Sequence, residues 1–280
     1  TLKNYHDHYL KLDVTLLADV FENFREKAIG AYELDPAHYW TLPGYSWDAC
    51  LKYTGVKLDL LTDAEMYLFL EAGIRGGVSM IAHRHAVANN GKGADPSLPA
   101  SYLAYWDANN LYGWAMSQPL PLRNFRWLSD NEVANFTSHF VMTLDDISSK
   151  NQNLSSSDNS SDDSSDSDTG YIAEVDLTYP EELHELHNSL PLAPERLLVT
   201  KDMLSPYAQS FNHPVGKVEK LVSNLYNKTK YITHYKNLKF YIEQGLILTK
   251  VHRVLAFDQE PWMKSYIDKN TESRKLASLR

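Results

Sequence analysis

The residues with the clearest chemical potential lie in one short segment, Asp107 to Tyr112. The aromatic-rich stretch 101–107 is typical of a buried strand, and it ends in the Asp107 carboxylate. A carboxylate at the end of a strand can bind Mg²⁺ through oxygen, and two such metals can support phosphoryl transfer. The backbone amides that follow, with the Ala108 carbonyl, can face a triphosphate. The spacing alone fits a simpler alternative, in which Asp107 caps a helix starting at residue 109.

Weaker patterns occur elsewhere in the chain. Tyr9 and Asp13 are four residues apart, so a helix would place them on one face. Gly76 and Gly77 would let the backbone approach a phosphate that Arg75 could pair with, although a tight turn explains the glycines equally well. Zinc is not expected, because the histidines of the His184–His187 stretch are three residues apart where a zinc-protease helix needs four. No third ligand accompanies His83 and His85.

Hydrophobic periodicity and turn residues predict the elements that must position these side chains. We expect helices over residues 5–31, 62–73, 217–228 and 236–244 and from Glu260 onward, with a short helix and turn over 180–194. The second helix would open with a capping box of Thr62 and Glu65. We expect strands from Val78 and over residues 101–107, 139–145, 171–177 and 246–257. Residues 148–170, mostly Ser, Asp and Asn, predict a disordered loop, either a tolerated insertion or a phosphorylation tract.

Composition bounds the class of protein. The chain has 280 residues, a net charge of −9 and a single cysteine, Cys50, so no disulfide can form within it. The charge is uneven, because residues 145–168 hold 7 Asp and 1 Lys, whereas residues 196–280 hold 15 Lys and Arg and 7 Asp and Glu. The basic C-terminal part can be a solvated surface or a nucleic-acid contact. No apolar run is long enough for a membrane helix, so no membrane partner is expected.

The segment Asp107 to Tyr112 resembles motif A of family B DNA polymerases, D-x-x-S-L-Y, with Asn110 at the serine position. The longer run DANNLYGWAMSQPLP is similar to the version in protein-primed polymerases of Polinton (Maverick) transposons and related viral or plasmid elements. The resemblance extends over nearly the whole chain and includes residues 174–180, 187–188, 191–195, 246–253 and 266–275. Ile74 to Gly77 resembles the Y-x-G-G motif, with isoleucine in the tyrosine position. Tyr9 to Asp13 resembles the third exonuclease motif, Y-x-x-x-D.

This resemblance implies an α+β fold, with the end of a 3′–5′ exonuclease domain in residues 1–73. Residues 74–280 would form part of an antiparallel palm sheet and the start of the fingers. Asp107 would ligate Mg²⁺ or Mn²⁺ with the Ala108 carbonyl, and Tyr112 would exclude a ribose 2′-hydroxyl. The deoxynucleoside triphosphate would meet Asn109, Asn110 and Leu111, and Lys269, Arg274 and Lys275 if the last helix enters the fingers. A solvated helix face is the alternative for these three basic residues.

The same resemblance implies that Asp13 binds a metal and Tyr9 positions a water in the exonuclease remnant. Arg75, Gly76 and Gly77 would contact DNA. The partners would be template and primer DNA, bound with strong salt dependence, and a terminal-protein primer. A nucleus or a virus factory is the location that the family suggests.

The family also needs a Lys-bearing fingers helix and an aspartate hairpin, D-T-D, and the 280 residues contain neither. We therefore expect a fragment that is inactive alone, because one carboxylate cannot hold two metals. The alternative is a decayed transposon remnant that serves, if at all, as a nucleic-acid-binding or interaction module. A third hypothesis, a metal hydrolase using the histidines, requires stoichiometric zinc.

Overall fold

The computed structural model describes residues 1–138, 168–211 and 215–278. It confirms the α+β class, and it divides into two compact units. Unit 1 comprises Thr1–Asp59, Asn109–Leu122 and Glu260–Arg280, and unit 2 comprises Leu60–Ala108 and Arg123–Gln259. The predicted boundary at residue 73 stays a prediction. No helix in the described ranges is long and apolar enough to cross a membrane.

Unit 1 is helical and has a small aromatic core. Its helices are α1 (Leu2–Tyr32), α2 (Leu42–Thr54), α4 (Leu111–Met116) and α9 (Lys264–Ser278). The predicted helix over residues 5–31 is therefore confirmed, as is the helix that follows Glu260. α2 begins at the Thr41 cap and ends at Gly55, whose φ of 65° suits glycine. The core joins Ala28, Tyr45 and Ala49 with partly buried rings, among them Tyr32 and Tyr266.

Unit 2 is built on a four-stranded sheet of order β1–β6–β2–β5. The strands are β1 (Leu120–Trp127, whose first residues belong to unit 1), β2 (Thr169–Thr178), β5 (Lys228–His234) and β6 (Ile247–Glu260). β2 is antiparallel to both β5 and β6. β3 (Glu195–Leu197) and β4 (Lys220–Val222) form a separate antiparallel pair. The predicted strands 171–177 and 246–257 are confirmed as β2 and β6.

Unit 2 also contains five helices in its described residues, α3 (Ala64–Gly73), α5 (residues 130–138), α6 (His184–His187), α7 (Pro206–Ser210) and α8 (Tyr235–Glu243). Two of them, α3 and α8, pack on opposite faces of this sheet. On one face, Leu238 and Ile242 of α8 pack on alternate β2 residues, among them Val175. On the other face, Phe69 of α3 packs on Ile232 and Leu255. Ala173, Val175 and Leu177 of β2 belong to the first core and Ile172 to the second, because successive side chains of a strand point to opposite faces.

Several predicted elements are corrected. Residues 74–110 contain turns and bends but no strand, so the strands from Val78 and over 101–107 are wrong. Tyr105 is 96% exposed and Trp106 is 89% exposed, because no strand pairs with this aromatic stretch and no helix covers it. The helix over 217–228 is wrong, since this stretch holds β4 and the start of β5. Its apolar residues pair across a sheet instead of lining a helix face.

Two boundaries also differ from the prediction. The cap of α3 is Asp63, whose carboxylate accepts from the amides of Glu65 and Met66, and not Thr62. Glu65 instead pairs with Arg253. Thr169 and Gly170, expected in the disordered insert, begin β2. The predicted strand 139–145 and the insert up to residue 167 lie outside the described residues.

Three bulges meet in the sheet at Asp176, in the central strand β2. Along β6 the partner of Glu174 is Arg253 and that of Val175 is Val251, so His252 is an extra residue. Asp176 faces Lys250 and Leu177 faces Leu248, so Thr249 is a second extra residue. On β5, Thr229 and Lys230 oppose Asp176 alone, and Lys230 has a φ of 51°. Bulges of this kind re-aim side chains and disrupt the ladder locally.

Candidate functional site

The Asp107 segment runs from irregular chain into α4. Asp107 and Ala108 are exposed, and Asn109 and Asn110 form a turn before Leu111. The residue that precedes α4 in the cap position is Asn110, with a left-handed φ of 55° and no side-chain cap bond. The alternative in which Asp107 caps the helix is therefore wrong. The carboxylate of Asp107 lies on irregular backbone three residues before the cap.

A close approach fixes the start of α4. A Cβ built on Gly113 would lie 2.4 Å from Asn110 Nδ2 and 2.6 Å from its Oδ1. Position 113 therefore accepts only glycine while Asn110 keeps this side-chain position. The Trp114 amide donates to the Asn110 carbonyl over 2.9 Å, which closes the first turn. Tyr112, within that turn, is 81% exposed.

The boundary between the two compact units falls inside the segment, between Ala108 and Asn109. In unit 2, Asp107 and Ala108 offer a carboxylate and a backbone carbonyl. In unit 1, α4 approaches α9, so the helix of Leu111 and Tyr112 shares a unit with the helix of Lys269. The structure thus brings two groups of predicted nucleotide-binding residues into one unit.

The donor chemistry of the segment fits magnesium. Mg²⁺ is usually held by one or two carboxylates and by substrate phosphates, with water completing the shell. The Asp107 carboxylate and the Ala108 carbonyl are hard oxygen donors of this kind. Within the described ranges, no three His, Cys, Asp or Glu side chains converge on a position that could hold a metal ion. Any ion at Asp107 would therefore depend on ligands from the substrate or from elsewhere.

Arg75, predicted to contact DNA, is engaged inside unit 2. Its Nη1 donates to the Ile232 carbonyl over 2.7 Å and to the Gly73 carbonyl over 3.1 Å. Its guanidinium carbon lies 4.0 Å from the centre of the Tyr231 ring. Burial raises the pKa of Tyr231 above its ordinary value. Gly76 and Gly77, the other predicted DNA contacts, are exposed, and a Cβ at either would meet nothing within 4 Å.

The three basic residues predicted to meet the triphosphate lie on α9 in different surroundings. The Lys269 ammonium lies 4.5 Å from the Tyr32 ring centre and 4.3 Å from that of Tyr53. It also donates to the Ala31 carbonyl over 3.1 Å. Arg274 and Lys275 are exposed. Lys269 thus packs in an aromatic cluster in which burial raises the pKa of Tyr266 to about 12.

The exonuclease-like residues lie on α1. Tyr9 and Asp13 are both exposed and one helical turn apart, so the predicted shared face is present in the helix. Of the histidines, His187 is buried and its Nδ1 lies 2.8 Å from the Tyr179 hydroxyl. His184 packs edge-on against the same ring, with centroids 5.7 Å apart. These two histidines line an aromatic core.

Comparison of the chain with protein-family models, with curated protein sequences and with solved structures gives no match. The site residues therefore rest on the chain's own sequence and geometry. Sequence interpretation assigned no role to Asp176, His252 and Thr249. The pattern carries no signal for them, because a bulge depends on how two strands pair.

Proposed function

We propose that this chain is part of a family B DNA polymerase of the protein-primed kind, similar to those of Polinton transposons. It would contain the end of a proofreading domain and the first half of a palm. The observation that carries the proposal is the order of motifs, from Tyr9–Asp13 through Ile74–Gly77 and Asp107–Tyr112 to the stretches in β2, β6 and α9. The mixed α+β architecture with an antiparallel sheet is compatible with a palm.

In this proposal Asp107 is one of the two palm carboxylates, and the Ala108 carbonyl lies beside it in the sequence. Bound Mg²⁺ would neutralise charge that develops on the transferred phosphoryl group. Tyr112 discriminates against ribonucleotides by the bulk of its ring, which would fill the space of a 2′-hydroxyl. Its exposure leaves the ring accessible to a sugar. The backbone of Asn109, Asn110 and Leu111 would lie along the triphosphate.

The second palm carboxylate and the fingers lysine are not among these 280 residues. We therefore expect the chain alone not to extend a primer. Primer extension belongs to the product of the complete reading frame that contains these residues. DNA binding can therefore be tested on this chain, whereas catalysis has to be tested on the complete product.

The decisive experiment is primer extension by that complete product with Asp107→Asn, which keeps size but removes the charge. We expect the rate to fall by on the order of 10³-fold or more, because a lost metal ligand removes several kcal/mol of transition-state stabilisation. Asp19→Asn, at an exposed position of α1, is the matched control and should retain the rate. An Asp107→Asn enzyme with an unchanged rate would overturn the proposal.

A second measurement concerns Tyr112. Tyr112→Ala in the same product should raise incorporation of ribonucleotides relative to deoxyribonucleotides, while extension with deoxynucleotides persists. If the complete reading frame yields no extension under any condition and the chain still binds DNA, the binding-module alternative replaces the polymerase.

A further inference from the structure

Residues from all three bulges of the sheet contact Asp176, two through its carboxylate and one through its main-chain carbonyl. His252 Nε2 lies 2.8 Å from Asp176 Oδ1. The Lys230 amide donates to the same oxygen over 2.7 Å. The Thr249 hydroxyl donates to the Asp176 main-chain carbonyl over 3.1 Å. The irregular pairing thus gathers residues of all three bulges around Asp176. The cluster consists of Asp176, Lys230, Thr249, Lys250 and His252.

This cluster lies on the part of the sheet face that α3 does not occupy. Next to it, Arg253 bonds Glu174 of β2 and Glu65 of α3, and it stacks on Phe69 and Trp127. Past this ion pair, Thr249, Lys250 and Lys230 are exposed, and His252 and Asp176 are partly exposed. Exposed polar groups thus continue the face on which α3 packs.

The cluster is positively charged. Lys230 and Lys250 carry two positive charges against the single negative charge of Asp176, and among the described residues no salt bridge engages either lysine. Burial would raise the pKa of the Asp176 carboxyl, but the Lys230 amide, His252 and the nearby Lys250 outweigh it and hold that pKa below its ordinary value. Asp176 is therefore a charged partner that can orient the imidazole.

We propose that Lys230, Lys250 and His252 form a binding site for a backbone phosphate of single-stranded DNA, with Asp176 as the positioning residue for His252. The two ammonium groups are donors that suit phosphate oxygens, whereas the Thr249 hydroxyl and His252 Nε2 are engaged at Asp176. An extended polyanion is the occupant that the exposed sheet face and its charge favour. The site rests on the proposed function only for the identity of the nucleic acid.

The test is a fluorescence-anisotropy titration of the chain with a labelled single-stranded deoxyoligonucleotide at several salt concentrations. The Lys230→Gln and Lys250→Gln double variant should bind on the order of ten-fold more weakly than the unaltered chain. Its plot of log affinity against log salt should flatten by about 1.4, or about 0.7 for each lost phosphate contact. Lys239→Gln, an exposed lysine of α8 on the opposite face, should change neither value by as much.

The role of Asp176 needs a separate readout. Asp176→Asn makes the cluster more positive, so simple electrostatics predicts tighter binding, whereas a positioning role predicts weaker binding. We expect weaker binding in Asp176→Asn and partial rescue in Asp176→Glu. His252→Gln, which removes the imidazole that contacts Asp176, should also weaken binding. The other charged groups nearby are Lys230 of β5, Lys250 and Arg253 of β6, Glu174 of β2 and Glu65 of α3.

Thermal melts check that each variant is folded. If Asp176→Asn does not fold, His252→Gln, which keeps a polar side chain at position 252, tests the same contact. Equal salt slopes for the double variant and the unaltered chain would overturn the site, as would an unaltered chain that binds no oligonucleotide. Displacement by inorganic phosphate beyond the effect of chloride at equal ionic strength would assign the site to free phosphate. The two proposals can fail separately. If the chain binds DNA through these lysines but primer extension by the complete product does not depend on Asp107, the phosphate site stands and the polymerase proposal falls.

Discussion

The central carbon of the Arg75 guanidinium lies 4.0 Å from the centre of the Tyr231 ring, while Nη1 of the same group donates to the Ile232 carbonyl. The arginine that sequence analysis assigned to DNA is therefore bound to the neighbouring strand β5. It connects the end of α3, through the Gly73 carbonyl, to that strand. If Arg75 has a structural role, its loss should lower the stability of the chain. If its remaining donors contact DNA, its loss should weaken DNA binding.

Arg75→Ala should lower the free energy of unfolding by about 2–3 kcal/mol, because two charge-assisted hydrogen bonds and a cation–π contact are lost. Urea denaturation measures this loss. Arg84→Ala, at an exposed position, is the control and should stay within about 0.5 kcal/mol of the unaltered chain. Unchanged stability together with weakened DNA binding would show instead that the guanidinium acts on DNA.

Lys269 offers a similar choice between packing and ligand binding. Lys269→Met keeps the length of the side chain but removes the charge that lies over Tyr32 and Tyr53, so stability should fall by about 1–2 kcal/mol. The exposed Lys275→Met should cost less than about 0.5 kcal/mol. If Lys269→Met unfolds at the same urea concentration as the unaltered chain, the contacts of the ammonium with Tyr32 and Tyr53 do not contribute to stability.

A buried ion pair joins β5 to the β3–β4 pair. The Lys228 side chain is fully buried, and its ammonium lies 2.8 Å from Glu195 Oε1 and also bonds Asn224. Burial lowers the pKa of Lys228, against the pull of Glu195. Glu195→Gln should reduce the free energy of unfolding by about 3 kcal/mol, because it leaves a buried ammonium without its counter-charge.

Replacing both partners, as Lys228→Met with Glu195→Leu, should recover most of that loss, since no buried charge remains. Chemical denaturation of the two single variants and the double variant measures the coupling. Glu185→Gln, at an exposed position of α6, serves as the control. Additive losses in the double variant would contradict a coupled pair.

The start of α5 carries a pH-dependent contribution. Glu132 accepts from Arg126, from the Ser129 amide and from the Ser129 hydroxyl. Bonding to Arg126 and then to Ser129 lowers the pKa of Glu132 to about 2 from its ordinary value of 4.5. Since the folded-state pKa is the lower one, the contribution is complete above pH 4.5 and is lost as the pH falls toward 2.

Melting temperatures of the unaltered chain and of Glu132→Gln, taken across that interval, check this sign. The unaltered chain should melt higher at neutral pH, and the difference should shrink as the pH drops below 4.5. The exposed Glu71→Gln should show no such convergence. If the difference in melting temperature between the two proteins stays constant down to the lowest pH, the charge of the Glu132 carboxylate is not what stabilises the chain.

The elements that the sequence predicted well carry their signals locally. α1 and α8 show helical spacing, and Gly245 ends the turn after α8 with a φ of 99°. From Ile172 to Thr178, β2 alternates partly buried and buried residues, as a strand with one face in a core does. The capping motif was a weaker guide. The pattern at Thr62 and Glu65 does not form the cap of α3, whereas the same spacing at Ser129 and Glu132 forms one half of a capping box, in which the Glu132 carboxylate accepts from the Ser129 amide.

The features that sequence could not supply depend on pairing between distant residues. Residues 101–107 have the composition of a strand but no neighbouring strand, and composition says nothing about partners. Residues 220–222 look helical alone and pair with β3 in the fold. Of the candidate site, the exposure of Asp107 and Tyr112 follows from the structure, and their chemistry remains a proposal from sequence.

The two extra residues of β6 change how its hydrophobic pattern must be counted. The side chains that reach the α8 core are Val254, Val251 and Leu248, three positions apart where a regular strand would bury every second one. With regular alternation, His252 and Lys250 would follow Val254 into that core. The irregular pairing therefore keeps a histidine and a lysine out of an apolar interior. It also means that deleting the extra residue His252 would leave Val251 and Val254 two positions apart, as on one face of a regular strand.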